Sequence, residues 1–85
     1  MYLVSKLPER LIELRTQRNL KQRDLAEFLG IALRSWQRYE AGEREPTVDQ
    51  LMELARFFGV SLDYMVGLTD DPTPSPRTSS SERDP

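Results

Sequence analysis

Lys21 to Ala41, KQRDLAEFLGIALRSWQRYEA, is the stretch whose reading decides the fold. Leu25, Ala26 and Leu29 share one helical face, and Ala32, Trp36 and Tyr39 stand at i, i+4 and i+7 of a second helical run. Gly30 separates the two runs. Without a Cβ it takes the left-handed or sharply turned conformation that ends a helix, and apolar Ile31 plugs the turn against the core. The spacing therefore predicts two short helices on a tight turn, both burying an apolar face against one core. Trp36, with Ala32 and Tyr39 as its i−4 and i+3 neighbours, falls on the inward face as a core residue.

The second run leaves Leu33, Arg34, Ser35, Gln37 and Arg38 facing outward. Arg, Gln and Ser form hydrogen bonds to base edges or phosphates, and Leu packs on a thymine methyl group. An ordinary solvated helix face has the same composition, so spacing alone leaves both readings open.

Upstream, Leu7, Leu11, Leu14 and Arg15 share a face of a first helix running about Pro8 to Arg18. Pro8 holds its favoured first position and Asn19 the left-handed C-terminal conformation. Downstream, AGEREP makes a turn, and Thr47 with Gln50 three residues on forms a capping box that opens a fourth helix, about Val48 to Phe58. Its inward candidates are Val48, Leu51, Leu54, Ala55 and Phe58, and Gly59 stops it. Ser61 caps a short fifth helix, Leu62 to Val66. The expectation is all-α: five short helices and no strands.

The last sixteen residues, DDPTPSPRTSSSERDP from Asp70, contain four prolines and no hydrophobic side chain. Such a segment buries too little to offset its ordering entropy and is expected to be a disordered tail over 70–85. Charge divides along the same line. Residues 1–69 hold ten Lys+Arg and ten Asp+Glu, a net of zero, while 70–85 hold two and four, which accounts for the whole −2. With no basic excess in the body, contact with nucleic acid has to come from local placement of Lys21, Arg34, Arg38 and Arg44.

The chain has no cysteine and no histidine among its 85 residues. Disulfides, thiolate or imidazole metal ligands and the commonest neutral-pH general base are thereby excluded. Carboxylates alone remain, scattered over helical surfaces, so neither an enzyme, a metal site nor a cofactor is expected. No apolar run approaches the roughly 20 residues of a spanning helix, and Met1 to Pro8 lacks a signal-peptide core. A cytoplasmic protein of one small domain, sensitive to dimerisation, is the expectation.

Four pieces in order, LIELR at 11–15, QRDLAEFLGI at 22–31, RYEAGEREPT at 38–47 and LARFFGVSLDYMVG at 54–67, resemble the Xre/Cro-type helix-turn-helix regulators, the family of the lambdoid phage repressors. The resemblance spans about residues 8–67, with the motif itself over 22–41. It implies a five-helix, lambda-repressor-like DNA-binding domain. It also implies that Gln22 contacts phosphate, that Leu33, Arg34 and Arg38 read bases, that Ser35 and Gln37 make backbone or flanking contacts, and that Arg44 touches phosphate. Arg15 and Glu40 match a pair that ties helix one to the end of helix three. Three positions depart from the pattern. Lys21 and Ala32 replace the usual Ser or Thr caps, each worth ~1 kcal/mol. Leu33 replaces a polar base reader. Glu43 and Glu45 flank Arg44 where positive charge is common.

The function implied is that of a transcriptional regulator, a repressor rather than an activator. It would bind a palindromic operator on double-stranded DNA as a homodimer, with helix three in the major groove. Phe57, Leu62 and Tyr64, around helix five, are the expected dimer seam. The competing reading, favoured by the neutral body and by aromatic side chains at Phe28, Phe57 and Tyr64, is a protein-interaction module such as an antitoxin-like or anti-repressor protein. That reading makes a second regulatory protein the partner.

Overall fold

Five helices follow one another in the computed structural model, which describes residues 5–74. They are α1 (Leu7–Gln17), α2 (Gln22–Leu29), α3 (Leu33–Ala41), α4 (Val48–Phe58) and α5 (Leu62–Val66), with no strand among the described residues. α2 packs on α3, α3 also rests on α1, and α5 bridges α1 and α4. The side chains that point to the common centre are Leu7, Leu11, Leu14, Leu25, Ala26, Trp36, Tyr39, Leu54, Ala55, Phe58, Val60 and Met65. Leu11, Leu25, Trp36, Leu54 and Met65 are fully enclosed, so each carries a truncation cost of roughly 2–5 kcal/mol.

Local chemistry sets the ends of these helices. Gly30, the C-cap of α2, has φ 71°, and the Ile31 N–H turns back to the Ala26 carbonyl at 2.9 Å. Asn19 closes α1 at φ 58°, in the left-handed region that its short side chain tolerates. α4 carries the expected reciprocal cap: the Gln50 N–H donates to Thr47 Oγ1 at 3.1 Å, and the Thr47 N–H donates to Gln50 Oε1 at 3.0 Å. Ser61 Oγ accepts from the Tyr64 N–H at 3.0 Å and starts α5. At α2 the cap expected to be missing at Lys21 is partly supplied from inside the helix, since Asp24 Oδ2 accepts the Lys21 N–H at 2.8 Å. α3 has no side-chain cap at Ala32.

Several expectations are corrected. Val48 and Ala32 are exposed rather than inward, because each stands at the very start of its helix, ahead of the turn that meets the core. α1 begins one residue early, at Leu7, whose N–H is taken by Ser5 Oγ at 2.9 Å. Arg10, for which the sequence offers no expectation, is buried, at 7 % exposure, with its guanidinium 3.8 Å above the Tyr64 ring. The segment from Asp70 also differs at its start. Asp70 Oδ1 accepts from Arg10 Nη2 at 2.8 Å, and the Pro72 carbonyl accepts from the Ser61 N–H at 3.1 Å. Composition does not disclose this attachment, because it uses no apolar side chain: a buried cation draws in a carboxylate. The remainder of the expected tail, 75–85, lies outside the described residues.

Candidate nucleic-acid interface

The candidate surface is the outer side of α3, and its rigidity comes from the inner side. Trp36 is fully buried, Tyr39 is buried against its ring edge, and Glu40 follows one turn after Trp36. The Glu40 carboxylate is 5 % exposed and accepts from four donors. Arg15 Nε reaches Oε2 at 2.6 Å and Arg15 Nη2 reaches Oε1 at 3.1 Å, a two-pronged ion pair from α1. Trp36 Nε1 donates to Oε2 at 2.7 Å, and Gln22 Nε2 donates to Oε1 at 2.9 Å. Arg15 Nη1 spends a further N–H on the Leu20 carbonyl at 3.0 Å. A carboxylate out of water needs its lone pairs filled, and here α1, α2 and α3 each supply a donor to fill them. The three helices are thereby locked at one point directly beneath the outer face.

On that face Leu33, Arg34, Gln37 and Arg38 are exposed, with Leu33 at 38 %, while Ser35 is half-buried. The one-turn repeat from 33 and 34 to 37 and 38 sets the four in a single patch. Gln22 is half-buried with its amide engaged at both ends: beyond its bond to Glu40, its Oε1 accepts from Gln37 Nε2 at 3.2 Å. The expected phosphate contact thus stands in the structure as a link between the buried carboxylate and the outer face. The resemblance carries no signal for that link, since residues 22 and 37 meet only once α2 and α3 have packed.

Arg38 and Arg44 converge, with Glu43, on an open cleft of about 380 Å³ at the end of α3. The loop is held there by Gly42, at φ 77°, and by the Glu43 N–H on the Arg38 carbonyl at 2.9 Å. Arg44 also borders a groove of about 350 Å³ lined by Leu7, Tyr39, Pro46 and Leu51 among others. Two guanidinium groups at one cleft suit a phosphate oxygen, and the Glu43 carboxylate beside them lowers the net attraction.

The expected dimer residues occupy different settings. Phe57 lies 4.6 Å from Phe28 and 5.0 Å from Phe58, centroid to centroid, and Tyr64 has one ring face covered by Arg10. Leu62, 40 % exposed, stands out from the surface. Among the described residues no group of three or more acidic side chains is gathered as a metal would need, and no helix is long and apolar enough to cross a membrane.

The profile of the helix-turn-helix family matches residues 11–65. Over 66 residues, covering 78 % of this chain and 59 % of the relative, the sequence is 48 % identical to the uncharacterised HTH-type transcriptional regulator YobD of Bacillus subtilis strain 168. It is 37 % identical over 62 residues, 73 % of this chain and 55 % of the relative, to the cryptic phage CTXphi transcriptional repressor RstR of Vibrio cholerae. The chain thus spans little more than half the length of these curated relatives. Its backbone is similar to the crystal structure of a transcriptional regulator from Listeria innocua, with TM-score 0.75, 26 % identity, and coverage of 94 % of this chain and 75 % of the other.

Proposed function

Since the chain belongs to the Cro/C1-type helix-turn-helix family, we propose that it is a sequence-specific DNA-binding regulator that seats α3 in the major groove of an operator and represses transcription there. The observation that carries this reading is the patch formed by Leu33, Arg34, Gln37 and Arg38 on a helix whose opposite side is immobilised by Trp36 and the four-donor Glu40 carboxylate. A side chain that reads bases has to be presented at fixed height and angle, and a locked helix does that without an ordering cost at the moment of binding. The unit responsible runs over residues 8–67. Arg34 and Arg38 read base edges, Leu33 packs on a thymine methyl group, Ser35 and Gln37 lie alongside, and Arg44 grips phosphate at the cleft it shares with Arg38.

A palindromic operator requires two copies of α3 about one DNA turn, ~34 Å, apart, so the regulator acts as a homodimer. Its seam lies around α5 and draws on Leu62, which is exposed, together with the half-buried Phe57 and Tyr64. The interface is small, below ~1,200 Å² in total, and forms on DNA.

Selection of bound duplexes from a random pool at stated salt tests the reading. A palindromic motif is the expected result, with Arg34→Ala and Arg38→Ala each relaxing defined base pairs at a cost of ~1–3 kcal/mol. Arg44→Ala should instead weaken all duplexes alike and lower the salt slope by about one unit. A pool that enriches nothing would refute the proposal and leave the protein-interaction reading.

A further inference from the structure

After Gly67 the chain reverses and runs back beside α5, until the Pro72 carbonyl accepts from the Ser61 N–H, at the other end of that helix, at 3.1 Å. On the way Asp70 Oδ1 accepts from Arg10 Nη2 at 2.8 Å, and the guanidinium it holds lies 3.8 Å over the Tyr64 ring. Residues 68–74 thus form a strap that meets the proposed seam twice, at Tyr64 through Arg10 and next to Leu62 through the Ser61 backbone. Both fastenings are polar. Leu68 is 77 % exposed, the Asp70 side chain 87 %, and residues 71–74 are exposed, so lifting the strap takes little apolar surface into water. Its internal turns, the Asp71 N–H on Thr69 Oγ1 at 3.1 Å and the Thr73 N–H on Asp71 Oδ1 at 3.0 Å, need no contact with the body.

The geometry points to residues 68–74 as a releasable latch on self-association. Closed, the strap pins Arg10 over Tyr64 and lies beside Leu62; lifted, it opens the α5 seam to a second copy of this chain. The inference rests on the homodimer reading above. Two features keep the closed and lifted arrangements close in free energy. Arg10 Nη1 is buried with no acceptor among the described residues, and water relieves that cost once the strap lifts, which offsets part of the lost bond to Asp70. Glu13 Oε1, 4.0 Å from Arg10 Nε, remains as a counter-charge when Asp70 leaves. Both copies must open before they meet, so a strap closed about ten times as often as it is open lowers association by about 100-fold. That suits a regulator whose copies pair on the operator and stay apart in free solution.

The test uses the full chain without DNA, as wild type and as Asp70→Ala. Sedimentation over a range of concentrations reads self-association, and hydrogen exchange at the Ser61 amide, at a concentration where the chain is monomeric, reads the strap. Asp70→Ala should strip protection from that amide and strengthen self-association by about 10- to 100-fold. Adding Leu62→Asp to Asp70→Ala should abolish the gain, which separates pairing at the seam from aggregation of a loosened fold. Asp70→Asn keeps a carbonyl acceptor for Arg10 and removes the charge; it should fall between wild type and Asp70→Ala, and it carries the test if a thermal melt shows Asp70→Ala unfolded. A Ser61 amide as protected in Asp70→Ala as in wild type overturns the latch, because the strap then stays closed without its ion pair. Unchanged or weakened association with the amide unprotected also overturns it, since the strap then shields nothing or belongs to the interface. The homodimer reading survives those results if the palindrome selected from the random pool still takes up two copies of wild type. A palindrome that takes up only one refutes that reading and the latch with it.

Discussion

Removing the Glu40 side chain should cost this protein most of its stability, and the size of the loss follows from what the carboxylate holds. In Glu40→Ala the Arg15 guanidinium, on a side chain only 16 % exposed, keeps the Leu20 carbonyl and loses its counter-ion. Breaking one member of a buried pair costs ~3–5 kcal/mol, and the slight exposure of Arg15 puts this case at the lower end. The Trp36 indole N–H, which is fully buried, is left without a partner, and that adds ~1–3 kcal/mol. Gln22 is half-buried and recovers its bond from water. Together these reach about 4–6 kcal/mol, against a total of roughly 3.5–10 kcal/mol for the 70 described residues at about 0.05–0.15 kcal/mol each. The variant should be largely unfolded at room temperature or melt at a much lower urea concentration. Urea melts followed by far-ultraviolet circular dichroism measure this without depending on the altered surroundings of Trp36. Arg15→Ala with Glu40→Ala should be less destabilised than the sum of the two single variants, because no stranded charge remains. A single Glu40→Ala variant within ~1 kcal/mol of the parent, as an exposed pair would give, refutes the picture of a buried hub.

Asp70→Ala should lower stability by about 1–2 kcal/mol by leaving buried Arg10 with only the more distant Glu13 carboxylate, 4.0 Å away, while truncation after Pro74 should melt as the full chain does. Equal midpoints for truncations before Asp70 and after Pro74 would show the contact to be inconsequential. Trp36 fluorescence should be blue-shifted and nearly unchanged by duplex DNA, since the ring is fully enclosed; a red emission quenched on addition of DNA would mean that α3 is rotated. Gly67→Ala should cost clearly more than Gly59→Ala in the same melts. Both sites have positive φ, but a Cβ at 67 would lie 2.8 Å from the Lys6 side chain, whereas one at 59 meets nothing within 4 Å. Equal losses would indicate that Lys6 moves aside freely.

The helices were legible in the sequence because what defines them is local. The spacing of Leu25, Ala26 and Leu29, the Thr47–Gln50 box, Ser61, and the turn at Gly30 each act within a few residues, and each recurs in the structure at or within a residue of its expected place. Inward orientation of Trp36 and Tyr39 follows from the same periodicity, which fails only at Ala32 and Val48, where a helix has just begun and no preceding turn carries the face inward. Arg10 shares the α1 face of Leu7, Leu11 and Leu14, a position that favours burial, but it has no place among the expectations drawn from the sequence.

What only the tertiary structure decided are the partners of polar groups distant in sequence. Residues 15 and 40 were paired through a family likeness, and nothing in the chain indicated that Trp36 and Gln22 complete the same carboxylate. Arg10 meets Asp70 across 60 residues, and Gln22 meets Gln37 across 15. Apolar burial is non-directional and leaves a periodic imprint on sequence, so it can be read one helix at a time. A hydrogen bond demands one donor, one acceptor and a separation near 3 Å, and which groups satisfy that demand is settled only when the helices have packed against one another.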